Sequence, residues 1–180
     1  KLVSQGNHTV SESASSGTSL SNYNTSIECR ALNGTGSVIA SGSSASPVTV
    51  NVADGADVVC TITNTRKTGT LQVTKVVNWN GVTPDTAQTF QICVTGPSYA
   101  TANCQTADYD GTVLTWSGVL PGSYNVAETN PGSAWSVTTS PSSVTVAANG
   151  TGTATVTNAR KLGSLTATKT VDWNGITPDT

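Results

Sequence analysis

A lysine, a glutamate and an asparagine each end an alternating run of apolar residues in this chain. Leu71 and Val73 precede Lys75, Tyr124 and Val126 precede Glu128, and Ala154 and Val156 precede Asn158. Because alternate residues of a β-strand lie on the same face, we expect all three polar side chains to point into a core. Charged groups are costly to bury unless they are paired or neutralised, so the pattern indicates a chemical role.

The chemistry that these three groups allow is an intramolecular amide, or isopeptide, bond. Burial favours the neutral amine of Lys75 and the neutral acid of Glu128 over their charged forms. The amine can then attack the carboxamide carbon of Asn158, while Glu128 polarises the carbonyl and passes protons to the departing ammonia. Since folding supplies the proximity, this is a single self-reaction, without turnover of a substrate. The alternative is a buried Lys–Glu ion pair with a hydrogen-bonded asparagine.

The segments that carry the lysine and the asparagine repeat along the chain. Residues 69–86 return as 163–180, and residues 61–67 return as 155–161, both at an offset of 94 residues. Repeats of this length are whole domains, because solenoid units have periods of roughly 20 to 50 residues.

The repeats divide the chain into three predicted units. Residues 68–161 form one complete β-sandwich domain, residues 1–67 the C-terminal part of a preceding domain, and residues 162–180 the first strand of a following domain or a strand donated to the next subunit. The incomplete units carry pieces of the same triad: Glu12, Asn64 and Lys169 correspond to Glu128, Asn158 and Lys75. We therefore expect one complete crosslinking site and two partial ones.

Composition predicts an all-β fold and excludes several classes of function. The chain is rich in Ser, Thr, Val, Asn and Gly, has no Met and a single Phe, and is therefore poor in strong helix formers. Charged residues make up 10% of the chain and the net charge is -2, so we expect no nucleic-acid partner. No apolar run approaches the roughly 20 residues that span a bilayer. With His8 as the one histidine and no phosphate-binding motif, we expect no metal and no cofactor.

The four cysteines predict disulfides. Cys29, Cys60, Cys93 and Cys104 are even in number, and none of them lies in a Cys-x-x-Cys pair that would favour zinc. We pair them within units, Cys29 with Cys60 and Cys93 with Cys104, because the second pair flanks a Gly-Pro turn. Disulfides indicate an oxidising, extracytoplasmic setting.

The triad segments resemble a known family. The Leu-x-Val-x-Lys75 opening, the Gly122-x-Tyr-x-Val-x-Glu128 segment and the Val-Thr-Asn158 ending resemble the collagen-adhesin B-type domain of Gram-positive pilins and surface adhesins, which includes the SpaA-like pilin domains. The resemblance covers essentially all of 68–161 and parts of both flanking units. It implies tandem prealbumin-like, or Ig-like, β-sandwiches in which Lys75 and Asn158 are crosslinked and Glu128 is catalytic. The disulfides depart from a typical pilin unit, and no Leu-Pro-x-Thr-Gly sorting signal is present.

These features favour a structural stalk or fibre segment of an extracellular surface protein, stabilised by isopeptide bonds and disulfides, and not an enzyme. The alternative is an adhesive module that binds glycans or proteins through its loops. The expected partners are neighbouring domains or subunits of the same protein. If residues 1–180 are a filament repeat, Lys169 of one unit can join the next unit head to tail by strand addition and bond to Asn64. The joined pieces would lack the region equivalent to about 87–117, so the continuity of domains favours the alternative, an excerpt of a longer multidomain chain.

Overall fold

The structure, a computed structural model, describes residues 2–43 and 46–178. Its secondary structure is almost entirely β, as the sequence predicts, and the only helix in the described residues is a 3-10 turn at Leu20–Asn22. No helix in this part of the chain is long and apolar enough to cross a membrane. The strands are β1 Gly6–Val10, β2 Tyr23–Arg30, β3 Val38–Ser43, β4 Val48–Val52, β5 Val59–Arg66, β6 Gly69–Asn78, β7 Thr89–Gly96, β8 Tyr99–Asp108, β9 Val113–Val119, β10 Gly122–Glu128, β11 Trp135–Ser140, β12 Ser143–Val146 and β13 Thr151–Arg160.

Strands β6–β13 form a β-sandwich, which we call the sandwich below. One sheet has the order β11-β13-β6-β9 and the other has the order β12-β10-β7-β8. Alternate residues of each strand point between the sheets, where they form one buried core. That core comprises Leu71, Val73, Ile92, Val94, Ala107, Leu114, Trp116, Val119, Tyr124, Val126, Val144, Val146, Ala154 and Val156. The predicted β-sandwich architecture is confirmed.

The first and last strands of the sandwich lie side by side at the centre of one sheet. β6 and β13 pair in parallel from Thr70 opposite Thr151 to Asn78 opposite Ala159. In this register Lys75 is opposite Val156, and Asn158 is two positions further along β13. Because residues two apart share a strand face, Lys75 and Asn158 both point into the core.

Residues 2–43 and 46–66, which we call the N-terminal segment, form two smaller sheets. One has the order β3-β2-β5, and the other consists of β1 and β4. Their small core contains Ile27, Cys29, Val48 and Val50. The pairings copy those of the sandwich, since β1–β4 has the register of β10–β12 and β2–β5 has the register of β11–β13. The segment thus reproduces four of the eight strands of the sandwich.

Several residues expected in a core are exposed. Ile62 has 37% of its surface exposed on β5, whereas its counterpart Val156 is fully buried. The difference arises because β6 covers β13, while no described strand covers β5 on that side. Leu165 is 96% exposed and residues 161–178 contain no strand, since a lone strand has no ladder partner. Residues 1, 44 and 45 of the predicted first unit and residues 179 and 180 of the last lie outside the described residues.

Two disulfides link neighbouring antiparallel strands. Cys29 on β2 is bonded to Cys60 on β5, and Cys93 on β7 is bonded to Cys104 on β8. In both cases the two cysteines are direct cross-strand partners. These are the pairings expected within the units, and they leave no free cysteine.

Tyr124 provides a test of this fold. Its buried hydroxyl lies 2.8 Å from the Leu120 carbonyl oxygen and 2.9 Å from Ser98 Oγ, and it accepts a hydrogen bond from the Ser98 N–H at 3.2 Å. Tyr124→Phe leaves buried polar groups without a partner, so it should lower the free energy of unfolding by about 1–3 kcal/mol. Urea unfolding followed by tryptophan fluorescence measures this, because all four tryptophans lie beyond residue 68. Tyr109→Phe is the matched control, because the Tyr109 hydroxyl has no hydrogen bond in the described structure. Equal urea midpoints for the two variants would show that the hydrogen bonds of the Tyr124 hydroxyl do not stabilise the fold.

Candidate functional site: a buried lysine, glutamate and asparagine

The structure brings together three predicted site residues from both sheets of the sandwich. Lys75 lies on β6 and Asn158 on β13 of one sheet, and Glu128 ends β10 of the other. The side chains of Lys75 and Glu128 are 0% and 1% exposed, and Asn158 is fully buried. The alternation read from the sequence therefore places each polar group on the core face.

Glu128 contacts both other members of the triad through one oxygen. Its Oε1 lies 3.1 Å from Lys75 Nζ and accepts a hydrogen bond from Asn158 Nδ2 at 2.9 Å. The amine and the carboxamide nitrogen are thus neighbours on the same carboxyl oxygen. A single group is placed to receive a proton from one nitrogen and deliver it to the other.

Aromatic packing surrounds the lysine. Lys75 Nζ lies 4.4 Å from the centroid of the buried Phe90 ring, and Trp135 packs edge-on against Phe90 at 5.1 Å. Burial among these groups lowers the pKa of Lys75, and the nearby Glu128 carboxylate opposes that shift. Burial prevails, which increases the fraction of lysine present as the neutral, nucleophilic amine.

The triad is incompletely satisfied as an ion pair. Glu128 Oε2 and Asn158 Oδ1 are buried and have no hydrogen-bond partner in the described structure, and Lys75 Nζ has only its ion pair with Glu128 Oε1. Each such group costs about 1–3 kcal/mol relative to a satisfied one. An amide bond between Lys75 and Asn158 would replace the buried ammonium with a neutral linkage.

The backbone around Lys75 is held by a turn that the sequence analysis did not single out. Its N–H donates to the Thr112 carbonyl oxygen at 2.7 Å, directly after the Asp110-Gly111 turn. Gly111 has a φ of +85°, and a Cβ there would collide with the Lys75 carbonyl oxygen. Both observations favour glycine at this position. The Asp-Gly pair was the available signal for this turn, whereas nothing in the sequence marked Phe90 as a lysine contact.

The N-terminal segment holds the corresponding half-site. Asn64 Nδ2 donates to Glu12 Oε1 at 2.5 Å, as Asn158 does to Glu128. Thr25 Oγ1 additionally donates to Asn64 Oδ1. Among residues 2–43 and 46–178, no lysine or arginine forms an ion pair with Glu12. Lys169 is exposed in the strand-free part of the chain, and the structure brings it to neither site.

Comparison with known proteins gives a family match for this N-terminal segment. Residues 1–66 match the model of a SpaA-type prealbumin-like fold domain. The resemblance to SpaA-like pilin domains is thereby confirmed for residues 1–66. No curated protein matches the chain significantly.

Solved structures give more distant matches. The Bacillus anthracis TIE protein matches at 11% identity with a TM-score of 0.42, over 89% of this chain and 42% of its own length. GBS52, the minor pilin of the Gram-positive pathogen Streptococcus agalactiae, matches at 13% identity with a TM-score of 0.36, over 82% of this chain and 87% of its own. This chain therefore spans less than half of the TIE protein structure.

The lowered pKa of Lys75 predicts how stability depends on pH when the lysine is free. In Asn158→Ala, which has no carboxamide to attack, the unfolded chain binds more protons than the folded chain between the folded pKa of Lys75 and its ordinary value of 10.5. The free energy of unfolding should therefore rise with pH in that window and level off above it. Urea unfolding at a series of pH values measures the slope.

Lys75→Met in the same Asn158→Ala background provides the control for this slope. It removes the titrating amine, so the rise attributable to Lys75 should disappear. Other groups that titrate at high pH are common to both variants and cancel in the comparison. Identical pH profiles would show that Lys75 is not a buried, destabilised cation.

Proposed function

We propose that the sandwich closes an amide bond between Lys75 and Asn158 with Glu128 as proton carrier, and that the chain is a structural stalk or fibre segment of an extracellular surface protein. The observation that carries the proposal is the contact of both nitrogens with Glu128 Oε1 inside a buried core. The parallel β6–β13 pairing supports it, because this pairing holds the reacting side chains on neighbouring strands.

The reaction balances without any external reagent. Neutral Lys75 Nζ attacks Asn158 Cγ, so that the Nζ–Cγ bond forms and the Cγ–Nδ2 bond breaks. The proton lost from Nζ passes through the Glu128 carboxyl group to Nδ2, which leaves as ammonia. Glu128 ends in the protonation state in which it began. Each chain reacts once, so the protein acts on itself and is not an enzyme.

The bond would stabilise the sandwich by joining its first strand to its last. A crosslink between distant residues restricts the unfolded chain, and the chain-entropy model gives about 4–5 kcal/mol for loops approaching 100 residues. Each of the two disulfides closes a shorter loop within one pair of strands. The three crosslinks together would suit a protein that persists outside the cell, and the disulfides support that location.

The tryptophans favour a structural role over ligand binding. Trp116 and Trp135 are 3% and 4% exposed, and Trp79 donates its indole N–H to the Tyr109 carbonyl oxygen at 2.9 Å. Trp79 also packs edge-on against Trp135 at 4.9 Å. These three rings are committed to packing, which leaves little aromatic surface on the sandwich for stacking on a glycan. Adhesion through the loops remains the second candidate, with less in the structure to support it.

Intact mass tests the bond directly. With its disulfides reduced, the wild-type chain should be about 17 Da lighter than the mass calculated from its sequence, because one ammonia leaves for each amide formed. Lys75→Met, Asn158→Ala and Glu128→Gln should each show the full mass calculated for the reduced chain. Peptide mapping should join the fragment containing Lys75 to the fragment containing Asn158 in the wild type alone.

Matched controls are available for the same measurement. Glu28→Gln changes a glutamate that pairs with Arg30 at the surface, and Lys161→Met changes an exposed lysine. Both should keep the mass loss, because neither residue belongs to the triad. A wild-type chain at its full calculated mass would reject the proposed bond and leave the buried ion pair.

A further inference from the structure

The turn between β8 and β9 lies against the backbone of Lys75. It spans residues 108–111 and is closed by a hydrogen bond from the Gly111 N–H to the Asp108 carbonyl oxygen at 3.0 Å. The residue that follows the turn, Thr112, accepts a hydrogen bond from the Lys75 N–H at 2.7 Å. The turn and the lysine of the triad are therefore joined through the main chain.

Lys75 lies where β9 leaves the side of β6. On one side of β6, the parallel pairing with β13 continues to Asn78. On the other side, the pairing with β9 ends at Thr74 opposite Val113, and the bond from Lys75 to Thr112 follows directly. A change in the turn therefore acts on Lys75 before it acts on the rest of the ladder.

Gly111 occupies the narrow space between this turn and β6. Its φ is +85°, and a Cβ built on it would overlap the Lys75 carbonyl oxygen and lie 3.2 Å from the Lys75 carbonyl carbon. The nearest atoms all belong to the main chain, so a rotamer change cannot move them aside. Either the turn or the Lys75 backbone must shift, by on the order of 1 Å, before a side chain fits at this position.

The other positive-φ glycines of the sandwich make no such contact. Among residues 69–160, all of which the structure describes, three have open space where a Cβ would lie, namely Gly81, Gly118 and Gly132. Two have a side-chain atom as their nearest neighbour, namely Gly96 and Gly122. A left-handed backbone favours glycine at every one of these positions. Only at Gly111 does the absence of a side chain also fix the position of Lys75.

The same turn is tied to the aromatic rings around the amine. The Tyr109 carbonyl oxygen accepts the Trp79 indole N–H at 2.9 Å, and Trp79 packs edge-on against Trp135 at 4.9 Å. Trp135 packs in the same way against Phe90 at 5.1 Å, and the Phe90 ring centroid lies 4.4 Å from Lys75 Nζ. The turn thus acts on the backbone of the lysine directly and on its amine through three rings.

We propose that the 108–111 turn, with Gly111 against the Lys75 carbonyl group, sets the reach of the Lys75 amine toward Asn158 and thereby determines how fast the amide forms. This rests on the proposed function, because it concerns the rate of the same reaction. Gly111 is a positioning residue, since it touches the Lys75 backbone and none of the reacting atoms. Attack requires Nζ and Cγ to be about 3–3.5 Å apart, and a misplacement of about 1 Å can slow such a reaction about 100-fold.

The rate of mass loss in Gly111→Ala tests this proposal. Full-length chain isolated unfolded in guanidinium chloride and refolded by dilution starts the reaction at a defined time, and tryptophan fluorescence reports when folding is complete. Once folded, Gly111→Ala should lose 17 Da about 10- to 100-fold more slowly than the wild type. Gly118→Ala is the matched control and should react at the wild-type rate, because it also places alanine at a positive φ but in open space.

A second comparison separates position from stability. Tyr124→Phe weakens the sandwich through hydrogen bonds that involve neither the turn nor the triad, so it should react at the wild-type rate once folded. If Gly111→Ala does not fold, Trp79→Phe replaces it, because this change keeps an aromatic ring and removes the N–H donated to Tyr109. Trp79→Phe should slow the reaction severalfold, whereas Trp173→Phe, in the repeated loop, should not.

Each remaining outcome has a definite meaning. Equal rates for Gly111→Ala and Gly118→Ala, equal rates for Trp79→Phe and Trp173→Phe, or an equal slowing by Tyr124→Phe would overturn the role of the turn and leave the proposed function standing. A wild-type chain that folds and stays at its full calculated mass would instead reject the amide itself, and the role of the turn with it.

Discussion

The burial of one lysine constrains the rest of the sandwich. Lys75 stands between two sheets, with Glu128 as its one ionic partner among the described residues, and its Nζ lies 4.4 Å from the centroid of the Phe90 ring. Such a pair is expensive, because desolvation of two charges can exceed their attraction, and apolar replacements are often at least as stable. Its presence is understandable if the charges are temporary and a neutral amide is the final state. On this view the ion pair gives up its charges before the neutral amine reacts, and the packing around it would hold the reaction geometry.

The two sites of the chain show what this constraint requires. In the sandwich, β6 covers β13, and the triad is buried. In the N-terminal segment the glutamate and the asparagine keep their mutual hydrogen bond although no described strand brings a lysine to them. The Glu–Asn contact is therefore a property of the strands that carry it and does not depend on the amine.

Much of the site was predictable because strand alternation is a strong local rule. The inward positions of Lys75, Glu128 and Asn158 followed from their apolar neighbours two residues away. The contact between Lys75 and Phe90 was not predictable, because it depends on how two sheets stack across the core. The exposure of Ile62 shows the limit of the same rule: alternation gives the face of a strand, but whether that face is covered depends on the strands present. Similarly, residues 163–171 are similar in sequence to β6 but form no strand in the described structure. A strand needs a neighbouring strand to hydrogen-bond with, and sequence similarity alone does not provide one.

The parallel pairing of β6 and β13 also determines how the sandwich would respond to pulling. The chain enters at Gly69, at one end of the ladder, and leaves at Arg160, at the other. A force applied through these ends shears the two strands along each other, so the nine paired positions share the load simultaneously instead of opening one at a time. With a covalent bond between Lys75 and Asn158, the force would pass through that bond and not through residues 76–157. The two strands would then behave as a short inextensible rod, and the rest of the sandwich would be shielded from extension.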